Sequence, residues 1–315
     1  VRTLPLTEIP PRDLRALLRL ESGHWRGELL WDFSDVSAAV ATGVERRALF
    51  GWAALDAGRP VAYGYGMPEN GRVVVGSIFA APPQRGQGVE ELLLELLLRD
   101  AREQRGDTRV ECQTLFSTAP GIDQGFARAG FASAERHYLV RPLPGPLATP
   151  GHRFRLRAVR RGDLPRIAEV IYLSHAGSLD AALNLTYATP GLCRGFVENL
   201  VLRSACGRFD PEGSFVAEGP SGPAGVILAS RLSGTNGHIC QVSVLPQGQG
   251  HGLGRALLGA TLQAFQRAGL QMASLSVTVG NARAYRLYLE LGFRLRRSFA
   301  AHAWVRPPAS IRLPA

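Results

Sequence analysis

The 315-residue sequence predicts an α/β chain built twice over, as two tandem domains that are each a central mixed β-sheet flanked by helices. Three observations lead there. Extended apolar runs alternate with helix-periodic ones along the whole length, as a sheet with helices on its faces requires. A glycine-rich strand-to-helix junction occurs twice, at 82–91 and 246–255, and a Gly-Phe pair follows each, Gly130-Phe131 and Gly292-Phe293. Gly88 to Gly252 is 164 residues and Phe131 to Phe293 is 162, so the offset is nearly constant, which marks an internal duplication.

In the first copy the periodicities predict a strand at 2–9, helices at 12–21 and 36–47, and strands at 49–56, 60–67 and 72–81. After the junction come a helix at 92–101, a strand at 108–115, a short helix and closing strands. The second copy repeats this from residue 152, with helices at 164–175 and 191–204 and strands at 214–218, 224–230 and 238–245. A helix at 256–268 and a strand at 273–279 follow. Residues 141–151 are rich in Pro and Gly, as a linker is. The expected division is 1–143, a linker at 144–151, and 152–307.

Composition describes an ordinary globular protein, with 45% hydrophobic and 20% charged residues. No apolar run approaches the ~20 residues that span a bilayer, and the N-terminus lacks a secretory apolar segment, so a cytoplasmic protein with no membrane contact is expected, as a monomer or homodimer. Cys112, Cys193, Cys206 and Cys240 are scattered without metal-ligand spacing, which reads as buried free thiols and no metal. The net charge of +10 raises nucleic acid as a partner, with arginines clustered at Arg153, Arg155, Arg157, Arg160 and Arg161, and at Arg294, Arg296 and Arg297. Aromatic residues are not interleaved with them as a stacking platform would require, so solvated strand faces are the better reading.

The junction at 246–255 carries the chemistry. Glycines at a strand-to-helix turn aim successive N–H groups and the positive end of a helix at one point, which suits a pyrophosphate. A P-loop is excluded, because all 36 basic residues are arginine and that motif needs a lysine. A dinucleotide fingerprint is excluded by the glycine spacing and by the lack of Asp or Glu on the next strand. What remains, Gln249-x-x-Gly252-x-Gly254, resembles the acyl-CoA signature of the GNAT superfamily of N-acyltransferases. Downstream, Asn281-x-x-Ala284-x-x-Leu287-Tyr288-x-x-x-Gly292-Phe293 is similar to that family's second conserved segment, in the right order.

The resemblance implies two GNAT-like domains and acetyl-CoA as cosubstrate. Backbone N–H groups at Val242, Ser243 and Val244 would polarise the thioester carbonyl. Gln249, Gly250, His251, Gly252, Leu253, Gly254 and Arg255 would hold the pyrophosphate, Asn281 the CoA arm, and Tyr288 would be the general acid toward the departing sulfur. Tyr285 reads as packing. The neighbouring strands offer no carboxylate for a base, leaving His175, His238, a water relay or none. The segment 175–187, with His175, Asp180, Asn184 and Tyr187, falls where the family builds its acceptor pocket.

The first copy departs from the pattern. Arg85 and Gly88 fit, but Glu90 stands where the second copy has Gly254, and Glu91 where it has Arg255. Phe126 replaces Tyr288 and Ala119 replaces Asn281. Two carboxylates at a helix N-terminus repel a pyrophosphate, and phenylalanine has no proton to give. The expected activity is acetyl transfer to a primary amine of a small molecule or peptide N-terminus by the second domain. The other reading is a non-catalytic acyl-CoA-binding or regulatory module.

Overall fold

The computed structural model describes residues 1–104, 108–143, 155–203, 206–219 and 222–306. The expected linker at 144–151 and Arg153 lie outside them. In chain order the elements are β1 (Arg2–Pro5), α1 (Pro11–Leu29), α2 (Ser34–Glu45), β2 (Phe50–Asp56), β3 (Arg59–Glu69), β4 (Arg72–Ala80), α3 (Val89–Arg99), β5 (Arg109–Gln113), α4 (Ile122–Arg128) and β6 (Ala132–Pro142). Then come β7 (Arg155–Ala158), α5 (Leu164–His175), α6 (Leu179–Leu183), α7 (Pro190–Arg203), β8 (Arg208–Phe209), β9 (Phe215–Gly219), β10 (Gly222–Arg231), β11 (Asn236–Val244), α8 (Leu253–Arg267), β12 (Met272–Thr278), α9 (Ala282–Glu290) and β13 (Arg294–Val305).

Two compact units form, and their bounds differ from the sequence halves. Among the described residues, the first takes those within 1–24 and 33–133 and those from 300 to 306; the second takes 25–32 and those within 134–299. In the first, strands run in the order β1-β2-β3-β4-β5 and end on the last part of β13, with Ala301 opposite Gln113 and Val305 opposite Arg109. The second is ordered β6-β12-β11-β10-β9-β7, with β8 on β10. In each unit one parallel pair, β4–β5 or β11–β12, makes the sheet mixed.

The sequence periods explain the layers. On β10, Ile227 and Ala229 pack toward α8 with Leu257, Leu258, Leu262 and Phe265, while Val226 and Leu228 pack toward α5 and α7 with Ile167, Ile171, Val197 and Leu200. This is the period-two alternation of a strand buried on both faces. Each of the larger of these side chains, fully buried, contributes roughly 1.5–3 kcal/mol. Gly237 is required by the packing, since a Cβ there would stand 2.5 Å from the Phe265 ring.

The predicted helix at 12–21 extends to Leu29, because its apolar face continues through the buried Trp25 and Leu29. The strand expected at 2–9 stops at Pro5, where residues 6–8 turn as a short 3-10 helix before Pro10 and Pro11. No described helix is long and apolar enough to cross a membrane. The arginines at 294–297 are engaged by the second unit's own backbone and rings: Arg296 donates to the carbonyls of Gly27 (2.8 Å) and Glu28 (2.9 Å), and Arg297 lies 5.4 Å over the Trp25 ring.

Candidate active site

In the second unit, β11 and β12 run in parallel register from Asn236–Met272 to Ile239–Leu275. Beyond Ile239, β11 continues paired only with β10, as far as Val244 opposite Gly225. A strand edge without a partner presents N–H and C=O groups to whatever enters the gap. The three residues expected to offer amides, Val242, Ser243 and Val244, lie in this parted stretch and line a cleft of ≈ 580 Å³.

The signature turn forms the mouth of that cleft. Gly250 (φ 84°) and Gly252 (φ 83°) are both left-handed, a conformation that costs an L-residue roughly 1–2 kcal/mol, and Gly252 is the N-cap of α8. A Cβ at Gly252 meets nothing within 4 Å, and one at Gly254 meets only Leu287 at 3.5 Å, so the space above the turn is clear. Gln249 braces the loop, donating to the Val244 carbonyl (3.1 Å) and accepting from Arg283 (2.9 Å). Gln249, Gly250, Gly252, Leu253, Gly254 and Arg255 all line the cleft; His251 is exposed and is not among its walls.

Three arginines surround the turn. Arg255, Arg283 and Arg286 line the cleft, with Arg255 ion-paired to Glu290. Only Arg255 belongs to the signature turn. The other two follow from position, because α9 brings residues 283 and 286 over the mouth. Asn281 also lines the cleft, and it caps α9 by accepting from the Ala284 N–H at 3.2 Å, so its side chain has a structural duty as well.

Tyr288 sits between this cleft and a smaller adjoining pocket of ≈ 80 Å³, lining both. It is 9% exposed and meets the Phe293 ring edge-on at 6.1 Å. Burial, with the charge of Asp180, pushes its phenol up to about 12, so it stays protonated at neutral pH. Tyr285, by contrast, bonds His137 Nδ1 at 2.8 Å, away from the cleft's walls.

The smaller pocket gathers most of the polar residues of 175–187. His175, Asp180 and Tyr187 line it, joined by Arg136 from β6 and Gln241 from β11. Asn184 does not; it caps the turn at 185–187 through the Thr186 N–H (2.9 Å). His175 stacks on Tyr187 at 4.1 Å. Its Nδ1 faces the Ile171 carbonyl at 2.9 Å, which assigns the proton to Nδ1 and leaves the lone pair on Nε2, where the Gln241 amide approaches at 3.4 Å. Desolvation holds its pKa below the ordinary histidine value. The Asp180 carboxylate accepts from Thr278 Oγ1 at 2.5 Å and lies 3.9 Å from Arg136. His238 is elsewhere, buried between the rings of Trp31 and Tyr138.

The corresponding gap in the first unit is closed. Gly86 and Gly88 keep the left-handed turn, and Gly88 caps α3. Yet Ile78 bridges to Ser117, the Thr118 N–H bonds the Ile78 carbonyl (3.2 Å), and Thr118 Oγ1 accepts the Ala80 N–H (2.9 Å). At the 164-residue offset Ile78 and Ala80 correspond to Val242 and Val244. Glu90 is buried and accepts from Thr118 at 3.3 Å, with desolvation raising its pKa. Phe126 is core, stacked on His302 at 4.2 Å.

A parted parallel strand pair with a glycine turn at its mouth and a protonated tyrosine inside is the arrangement the resemblance implied, and the chain belongs to the acetyltransferase (GNAT) family, whose model matches residues 14–131 and 190–293. It is a GNAT-type N-acetyltransferase with two such regions. Among particular relatives it is similar to the mycothiol acetyltransferase of Nocardiopsis dassonvillei, 28% identical over 77% of this chain and 78% of that one. The same holds for the mycothiol acetyltransferase of Acidothermus cellulolyticus, 31% identical over 78% and 73%. Solved structures share the fold: a GCN5-related N-acetyltransferase from Sphaerobacter thermophilus (TM-score 0.70, 18% identity, 98% of both chains) and a tandem GNAT protein from the clavulanic acid biosynthesis pathway (0.60, 13%, 98% and 99%).

Proposed function

We propose that the second copy, 152–307, transfers an acetyl group from acetyl-CoA to a primary amine of a small molecule or peptide N-terminus, by direct attack in a ternary complex, and that the first copy, 1–143, has lost catalysis. The observation that carries this is the pair of adjoining pockets with Tyr288 in the wall of both. The parted edge of β11 at Val242, Ser243 and Val244 would hold the thioester carbonyl and stabilise the oxyanion formed there. The turn at 249–255, with Arg283 and Arg286 beside it, suits the phosphates.

In the smaller pocket the Asp180 carboxylate would hold the incoming ammonium, and His175 Nε2 would take its proton. The amine nitrogen then bonds the acetyl carbon, the carbon–sulfur bond breaks, Tyr288 protonates the departing thiolate, and the second proton leaving the nitrogen restores the Tyr288 phenol. The relatives named for mycothiol make a cysteinyl amine the first acceptor to assay. A binding module would have no use for a proton donor between two pockets.

The test is amine-dependent release of the CoA thiol across a panel of primary amines. Tyr288→Phe should lower kcat by about 100-fold or more while leaving acetyl-CoA affinity unchanged. Acetyl-CoA binding with no amine-dependent release across the panel would favour the binding module.

A further inference from the structure

Three donors that the sequence keeps apart come together in the second unit. His238 and Cys240 lie two residues apart on β11, and Cys206, just before β8, comes to them. The two Sγ atoms and one imidazole nitrogen of His238 all lie within 4.8 Å of one another. The register of β11 on β10 skips at this place, with Leu228 opposite Gln241 and Ala229 opposite Ile239, so Cys240 is the bulged residue. A bulge re-aims a side chain out of the regular alternation.

We propose that Cys206, His238 and Cys240 form a zinc site with two thiolates and one imidazole, its fourth position taken by water. Soft sulfur with imidazole is the donor set that selects zinc over hard cations. His238 Nδ1 bonds Ser274 Oγ at 3.0 Å, and Ser274 in turn bonds the Gly237 carbonyl at 3.4 Å. That relay fixes the ring and leaves Nε2 to coordinate, the outer-partner arrangement that ligating histidines show. Cys240 Sγ donates to Ser230 Oγ at 3.2 Å, and the Ser230 hydroxyl donates to the Cys206 carbonyl, so one serine holds both cysteines' backbone segments together. The site is reachable, since Cys206 and Cys240 are both partly exposed and Cys240 lines the smaller pocket beside Gln241. Metal binding replaces two S–H bonds by two Zn–S bonds and releases two protons to solvent. The metal would tie the loop before β8 to the bulge that sets the position of Gln241.

The experiment uses the full chain, reduced and stripped of metal, titrated with zinc against a chromophoric chelator. One zinc per chain is expected, with proton release on binding. Cys206→Ser and Cys240→Ser should each weaken affinity beyond the ~10–100-fold that outer partners are worth, and Ser274→Ala should fall within that range. Cobalt added to the unsubstituted chain should give a thiolate charge-transfer absorption, which keeps the test independent of how the variants fold. Substoichiometric zinc, cobalt without that absorption, uptake unchanged in folded Cys variants, or a Cys206–Cys240 disulfide that persists in the isolated chain would overturn the site.

Discussion

At the level of single residues, burial moves the two titrating groups of the site in opposite directions. Tyr288 is raised to about 12, so it holds its proton throughout the working range. His175 is lowered from 6.5, so it is the neutral, proton-accepting form that burial favours. A base works only when unprotonated, and the rate therefore falls as pH drops through the His175 pKa. Because that pKa is depressed, kcat should hold steady below 6.5 before it declines, and no tyrosine limb should appear on the alkaline side. His175→Gln should lose the acid limb and roughly 100-fold in kcat. A limb at or above the ordinary histidine value, unchanged by that substitution, would remove His175 from the mechanism. The sequence placed His175 and Asp180 in one segment, but it did not show Arg136 and Gln241 as their neighbours. Those two arrive through strand register, which local spacing does not encode.

At the scale of elements, the turn between β11 and α8 was legible because its demands are written as glycines: positive φ at Gly250 and Gly252, and open space above Gly254. These demands separate by substitution. Gly252→Ala places a Cβ in a left-handed conformation, costs about 1 kcal/mol and should lower the melting temperature together with CoA affinity. Gly254→Ala meets only an ordinary contact with Leu287 and should leave stability unchanged. The Cys206, His238 and Cys240 cluster was illegible because 32 residues separate its first two members. The only local sign was a His and a Cys two apart on one strand.

At the scale of the whole molecule, the duplication was readable from a nearly constant offset, while the compact units were not. β13 reads as a single extended run of 12 residues, and nothing in its pattern says that residues from 300 onward complete the sheet of the first unit beside β5. Likewise β6 belongs to the first copy in sequence but pairs with β12 in the second unit, Thr278 opposite Arg136. Residues 1–143 and 152–307 expressed alone should therefore each lack a strand and melt without a cooperative transition, and co-expression should restore one. Cooperative unfolding of both separate pieces would contradict this reading. Through this exchange the last strand of the first copy supplies Arg136 to the smaller pocket of the second unit.

The most direct test of the central claim, one working acyl-CoA site on a duplicated chain, is calorimetric titration with acetyl-CoA of the full chain and of Gly254→Glu, which copies Glu90 of the first half into the second. One site per chain is expected, abolished by the substitution in a protein that still melts cooperatively. Two sites, or one site that survives Gly254→Glu, would mean that the closed gap beside β4 binds acyl-CoA after all and that the asymmetry between the copies has been misjudged.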